Sequence, residues 1–419
     1  MIEIKPVEKL DAAVRVPGSK SYSQRALVCA ALAEGKSNLR DLLISQDTRI
    51  MMEALGMMGI KINAEKTGVT VEGGRGRVTQ AAGDIFLGNN GTALRLLMGL
   101  AALGEGAFVL TGSPRLCERP VGPMLDALKG LGVAARSLGK DGHPPVMIEA
   151  SGLPGGKAVF GDIESSQYIS SLLLSAPYAG REVTVELKGR VPSLPYVDMT
   201  IEVMKTFGAE VHREGSCFRV ERGKPYRGRE YTVEGDLSSA SYFFLAAALC
   251  GGRVRVEAVN ARSLQGDVGI VGIMERLGCR AVKGADYIEL TGGAMVPGDL
   301  VFNLADMPDM VPTLAVLSAL RPGRTAITGV AHLRAKESDR LAALAAELRK
   351  TFVDARELPD GLVIEGGSPR GAEIETYDDH RLAMSFAILG LVAPGMKIQG
   401  EGCVGKSFPG FWETLKGLY

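Results

Sequence analysis

Glycines recur along this chain at a spacing that a single globular unit would not produce. Gly35, Gly106, Gly180, Gly252, Gly323 and Gly395 each close a run of small and apolar residues, and alternating stretches such as REVTVEL and GRVRVEAV follow such stops. Their separation stays at roughly 71–74 residues, the signature of internal repetition. A second series, Gly59, Gly132, Gly208 and Gly278, follows the first, and Phe352 stands in the fifth place. The period is too long for a short solenoid repeat. Each repeat reads as two helices and three or four strands, so six repeats predict two globular domains of three units each. The boundaries fall at 16–234 for one domain, and at 1–15 with 235–419 for the other. The strand Ile2 to Ile4 precedes the first unit and has no partner there. It is expected to pair beside the C-terminal unit, so the chain would cross twice between domains, with hinges near Val16 and Gly235.

Composition removes several classes of function. The 419 residues carry 48 Lys and Arg against 48 Asp and Glu, so no net field favours nucleic acid or an acidic membrane. Six scattered cysteines (29, 117, 217, 250, 279, 403) form no C-x-x-C pair and have no histidine at ligand spacing. That argues against zinc and against a disulfide framework, and suits a reducing cytoplasm. No apolar run reaches the roughly 18 residues of a membrane-spanning helix, and the N-terminus lacks a signal-peptide core. GSKS is not preceded by a P-loop, and no G-x-G-x-x-G joins a strand to a helix, so a nucleotide cofactor is unsupported. His143, His212 and His332 read as surface or packing residues.

The polar residues gather where helices begin. First helices open on Lys20, Ser21 and Arg25; on Asn89, Asn90, Gly91, Thr92 and Arg95; on Ser165, Ser166 and Gln167; on Asp236; on Asp309; and on Asp378, Asp379, His380 and Arg381. Second helices open on Asp47, Arg119, Ser193 with Tyr196, Asp267, Lys336 with Glu337 and Arg340, and Lys406. The densest is LRAKESDR, Leu333 to Arg340, which runs into a helix with Leu341, Leu344 and Leu348 on one side and Ser338 or Asp339 as its cap. Ser238, Ser239, Ser241, Asp47 and Asp267 read as N-caps. Lys20, Arg25, Arg95, Arg119, Arg340, Arg381 and Lys406 do not, because a cation there opposes the helix dipole. They predict ligands bearing phosphate and carboxylate, two together.

VPGSKSYSQRAL, LGNNGTALRLL, PRLCERPVGPML, ESSQYISSLLL, PSLPYVDMT, EGDLSSASYF, LRAKESDRL, TYDDHRLAM and GKSFPGFW, in this order from Pro17 to Trp412, resemble the motifs of the 5-enolpyruvylshikimate-3-phosphate synthases (3-phosphoshikimate 1-carboxyvinyltransferases). The resemblance implies a two-domain inverted α/β barrel of six βαβαββ units, three per domain, with the active site in the cleft between them. It implies transfer of the enolpyruvyl group of phosphoenolpyruvate to the 5-hydroxyl of shikimate 3-phosphate by addition and elimination, without metal or cofactor, in a cytoplasmic monomer on the route to chorismate and aromatic amino acids. Shikimate 3-phosphate would be held by Lys20, Ser21, Arg25, Ser165, Ser166, Gln167, Ser193, Tyr196, Asp309 and Lys336. Phosphoenolpyruvate would be held by Lys20, Gly91, Thr92, Arg95, Arg119, Gln167, Arg340, His380, Arg381 and Lys406. Asp309 would take the hydroxyl proton, and Glu337 would serve the methylene carbon, with Lys20 beside the reacting centre. Glyphosate would compete with phosphoenolpyruvate, Gly91 leaving room for its phosphonate.

The chain departs from the family pattern at Tyr22, Gln24, Asn90, Leu96 and His332, none of them a charged site residue. Two alternatives stay open. The sister enzyme that acts on UDP-N-acetylglucosamine shares the fold, but has Lys–Asn where this chain has Lys20–Ser21, and usually a loop cysteine where Pro114 stands. A catalytically silent anion-binding relative would have no use for Asp309 and Glu337 beside anionic ligands.

Overall fold

A computed structural model describes residues 1–65, 68–80 and 82–418. Tyr419, the end of the second expected domain, lies outside the described residues. The chain separates into two compact units, Gly18–Val233 and Met1–Pro17 with Glu234–Tyr419. Each unit has its own apolar core.

Within each unit three helices lie against one another. In the first they are Lys20–Leu32, Gly91–Ala101 and Gln167–Ser175; in the second, Leu237–Cys250, Val311–Leu320 and His380–Leu389. They are buried almost all round: every residue of Leu237–Cys250 except Cys250 is buried. Helices apolar on every side belong inside a core rather than on its rim. The sheets supply the cover. Their strands alternate, as in Lys36–Arg40, where Ser37 and Leu39 are buried and Lys36, Asn38 and Arg40 exposed.

The third unit shows the repeat in full. Gly156–Phe160 runs parallel to Val183–Leu187 across the helix Gln167–Ser175, and Val183–Leu187 pairs antiparallel with Cys217–Val220, which pairs with His212–Glu214. The helix Pro195–Thr206 fills the remaining connection. Two sheets borrow their edge strand from the chain just before it changes unit. Glu230–Thr232 closes the first sheet beside Lys36–Arg40, and Asp11–Arg15 closes the fourth beside Arg253–Glu257. The sixth sheet has three strands. Ile2–Glu3 pairs antiparallel with Lys397–Ile398, beside Glu373–Ile374, as expected of the otherwise partnerless first strand.

The second glycine series marks left-handed backbone: Gly59, Gly132, Gly208 and Gly278 have φ between 85° and 105°. Phe352 occupies the same place with φ 64°, is 72% exposed, and has Arg370 5.1 Å from its ring centroid. A side chain there carries strain of roughly 1 kcal/mol. Phe352→Gly is therefore expected to leave stability unchanged or raise it by up to about 1 kcal/mol, read from urea unfolding. A loss of that size would show that the Arg370 contact outweighs the strain. In the first series the left-handed cap of Leu237–Cys250 is Gly251, one residue before the glycine expected, and Gly180 has no positive φ.

Candidate active site

In the unit Gly18–Val233 the helix starts are set side by side by a close contact two turns further down. Gly99 N donates to Ser171 Oγ at 3.0 Å, and a Cβ on Gly99 would meet Ser171 O at 2.6 Å, so only glycine lets these helices approach so closely. At their starts Arg95 Nη1 donates to Gln167 Oε1 at 3.1 Å, and Gln167 Nε2 to Thr92 Oγ1 at 2.9 Å. Arg95 is buried, its guanidinium 5.5 Å from the Tyr168 ring, and its Nε has no hydrogen-bond partner among the described residues. Arg119 lies against Gly91, so close that a Cβ there would fall 2.4 Å from its Cζ. Lys20 Nζ sits 3.0 Å from the buried carboxylate of Asp47.

Most of the set expected to hold shikimate 3-phosphate sits on the same unit; Asp309 and Lys336 lie on the other. Ser165 and Ser166 precede the helix Gln167–Ser175, and Ser165 Oγ accepts from Gln167 N at 3.3 Å. Ser193 is held at φ 59° just before Pro195–Thr206, which carries Tyr196. Strained backbone on a non-glycine residue is kept only where the surroundings impose it. Arg25 is wholly buried and spends its donors on protein: Thr200 Oγ1 at 2.7 Å, Ser21 O at 2.9 Å, Tyr196 O at 3.1 Å and Ser170 Oγ at 3.5 Å. Burial lowers its pKa to about 10. In this geometry Arg25 positions Ser21 and Tyr196.

The second unit carries the other charged set. Arg340, 1% exposed, meets three carboxylates: Asp379 through Nε at 2.9 Å and Nη2 at 3.2 Å, Asp309 through Nη1 at 3.1 Å, and Glu337 through Nη2 at 3.1 Å. Arg381 Nη2 takes the other oxygen of Asp309 at 2.7 Å, and its Nη1 donates to Tyr242 Oη at 3.4 Å. Burial works against the charge of Arg340, but Asp379, Glu337 and Asp309 outweigh it and raise its pKa. Asp267 is buried and accepts from Ser238 Oγ; burial, and then the Asp309 charge, push its pKa up to about 7. Lys336 caps the C-terminus of the 3-10 turn Ala331–Ala335. Lys406, buried, ends the turn Glu401–Lys406, which packs on the helix His380–Leu389 that opens with the buried His380.

Several sequence readings change here. Asp47 and Asp267 are not N-caps: Ser45 caps the helix Gln46–Met57, and Asp267 lies within a 3-10 turn. Asp236 caps Leu237–Cys250, while Ser238 and Ser241 make side-chain bonds to Asp267 and Thr313. Asp339, not Ser338, caps Arg340–Lys350, and Ser338 donates to Asp379 at 3.1 Å. Asp379 was absent from the expected site. It both caps His380–Leu389 and grips Arg340, a double use that two consecutive aspartates before His380 could have signalled. Lys20, Arg340 and Arg381, expected to be offset by ligand charge alone, are offset by Asp47, Asp379, Glu337 and Asp309 within the protein.

Two three-unit α/β bodies, with arginine, lysine and carboxylate gathered at their helix starts, define a protein built to handle small anions. Residues 4–415 match the family model of EPSP synthase (3-phosphoshikimate 1-carboxyvinyltransferase). A 3-phosphoshikimate 1-carboxyvinyltransferase of Syntrophobacter fumaroxidans is 45% identical over 419 residues, covering 99% of each chain, and one of Methanoculleus marisnigri is 42% identical over 420 residues, covering 100% of this chain and 99% of its own. The solved EPSP synthase of Acinetobacter baumannii is 30% identical, with a TM-score of 0.82 over 99% of this chain and 97% of that one. The chain belongs to the EPSP synthase family of transferases.

Proposed function

We propose that this chain transfers the enolpyruvyl group of phosphoenolpyruvate to the 5-hydroxyl of shikimate 3-phosphate, releasing phosphate, and that the two sets of residues above serve these substrates. The family membership carries the reaction. The residue roles are supported by one observation: Asp309 and Glu337, two carboxylates, sit on the same arginine. In this reading the 5-hydroxyl oxygen bonds to C2 of phosphoenolpyruvate as its proton passes to Asp309, and C3 takes a proton from Glu337, which enters the step as the carboxylic acid. The C2–O bond to phosphate then breaks, the phosphate leaving with the proton that Asp309 had taken, and C3 returns a proton to Glu337 as the double bond reforms. An incoming phosphate or carboxylate competes with Asp309 and Glu337 for Arg340 and Arg381. Substrate therefore loosens the ion pairs that hold those carboxylates, while Asp379 keeps Arg340 in place. Arg95, Arg119, Gln167, His380, Lys406 and the start at Gly91 and Thr92 complete the phosphoenolpyruvate set; Lys20 and Gln167 serve both substrates. The steps use no metal and no cofactor.

No helix among the described residues is long and apolar enough to cross a membrane. The six cysteines are free, which supports a cytoplasmic setting; we take the working form to be a monomer. The test is the product. After incubation with both substrates, NMR is expected to show a vinyl ether on the 5-oxygen. Pyruvate with free shikimate 3-phosphate, or a vinyl group on another oxygen, would contradict the reading.

Gly91→Ala gives a second check. The sequence alone put an added methyl against the ligand; the structure puts it against Arg119. A guanidinium is the flexible end of a side chain, so Arg119 moves and the backbone stays. The KM for phosphoenolpyruvate is expected to rise roughly tenfold to a hundredfold, the worth of one charge-assisted hydrogen bond, with Tm nearly unchanged. An unaltered KM would take Arg119 out of the site.

A further inference from the structure

We propose that Asn90 is a positioning residue that locks the phosphoenolpyruvate-binding helix start to the segment holding Lys20. The proposal rests on the substrate assignment above. Asn90 is 1% exposed, and its side chain joins three pieces of the unit Gly18–Val233. Its Oδ1 accepts from Ala93 N at 2.9 Å, capping the helix Gly91–Ala101 that carries Gly91, Thr92 and Arg95. Its Nδ2 donates to Asp47 O at 2.8 Å and to Gln24 Oε1 at 3.3 Å. Asp47 pairs with Lys20, and Gln24 lies one turn along the helix that Lys20 opens. One amide thus sets the distance between Lys20 and the Gly91–Thr92 start.

A cap needs only an acceptor, and serine or aspartate supplies one as well as asparagine does. The amide donor is surplus to capping and serves only the tie. Without it the fold survives, but Lys20 and the Gly91 start must be brought into register when substrate binds. That weakens ground-state and transition-state binding alike, so KM rises and kcat holds. Of the shikimate 3-phosphate set, Lys20 is the member this tie reaches, through Asp47.

The test compares the unmodified chain with Asn90→Ser and Asn90→Asp. Serine keeps the cap and loses the reach. Aspartate keeps cap and shape but turns a donor into a charged acceptor facing two acceptors. The KM for phosphoenolpyruvate is expected to rise about fivefold in Asn90→Ser and more in Asn90→Asp, with a smaller rise in the KM for shikimate 3-phosphate, which shares only Lys20, and kcat within about twofold. Tm for Asn90→Ser stays within about 2 °C, because the cap is retained. An unchanged KM for phosphoenolpyruvate in Asn90→Asp overturns the proposal. So does a parallel decline in all the kinetic constants together with Tm, which would mark Asn90 as structural only. If the unmodified chain forms no product, the substrate assignment itself has failed and this inference falls with it; normal wild-type turnover with indifferent variants defeats the inference alone.

Discussion

Asp309→Asn is expected to lower kcat by about 10²–10⁴-fold, the usual contribution of a positioned acid–base group. Asparagine is the informative replacement. It keeps an oxygen for Arg340 or Arg381, which meet Asp309 at 3.1 and 2.7 Å, so the charged cluster is disturbed as little as a neutral side chain allows. It cannot accept the hydroxyl proton. Binding of shikimate 3-phosphate, measured by calorimetry, should change far less than turnover. The partner variant Glu337→Gln separates the second proton. In deuterium oxide the unmodified enzyme is expected to place deuterium on the vinyl carbon, because addition and elimination pass through a freely rotating methyl group. Glu337→Gln should lose that label together with turnover. Turnover near the unmodified value in Asp309→Asn would remove this residue as the base, and label retained in Glu337→Gln would move the carbon acid elsewhere.

Arg340→Met is expected to destabilise its unit by roughly 3–5 kcal/mol, since removing one partner of a buried ion cluster leaves the others uncompensated. Asp379 is wholly buried, and Glu337 is 11% and Asp309 22% exposed. All three would lose a charged donor at once. Arg340→Lys should fall between, because an ammonium cannot bind Asp379 through two nitrogens while reaching Asp309 and Glu337. Urea unfolding followed by a probe in this unit, such as Trp412, reads the loss. A change below about 1 kcal/mol in Arg340→Met would mean that the cluster relaxes into water, and that Arg340 is held for substrate rather than for the fold.

Backbone periodicity was the legible part of the fold. Most of the glycine stops, Gly180 and Gly252 excepted, reflect a local requirement, positive φ after a helix, which is written in residue type and survives without knowledge of neighbours. Phe352 shows the limit: the geometry persists at φ 64° although the residue type does not advertise it. The pairing of Ile2–Glu3 with Lys397–Ile398 was legible for the opposite reason, because a lone strand must find an edge. The two borrowed edge strands, Asp11–Arg15 and Glu230–Thr232, were not foreseen, since parallel pairing across more than a hundred residues leaves no local mark.

The candidate site was legible through motifs, and its charge balance was not. Helix-start cations were read as demanding a ligand because each was weighed against its own dipole. In three dimensions, Arg340 gathers Glu337 from its own helix start, Asp309 from the other helix start of its repeat and Asp379 from the next repeat, and Asp47 meets Lys20. Apart from Glu337, on the same helix start as Arg340, the compensation comes from residues tens of positions away. The same distance hid the capping roles. Ser238, Asp47 and Asp267 are of capping types, yet which side chain reaches a free N–H depends on backbone angles that composition does not encode. Arg25 illustrates a third gap, as a motif residue whose donors are taken up by Thr200, Ser21, Tyr196 and Ser170.

The central claim is the choice of acceptor for the enolpyruvyl group. Phosphate release from phosphoenolpyruvate, measured with shikimate 3-phosphate and separately with UDP-N-acetylglucosamine, tests it most directly. Stoichiometric release with shikimate 3-phosphate and none above background with the nucleotide sugar is the predicted result. Release with UDP-N-acetylglucosamine, or with neither acceptor, would contradict it.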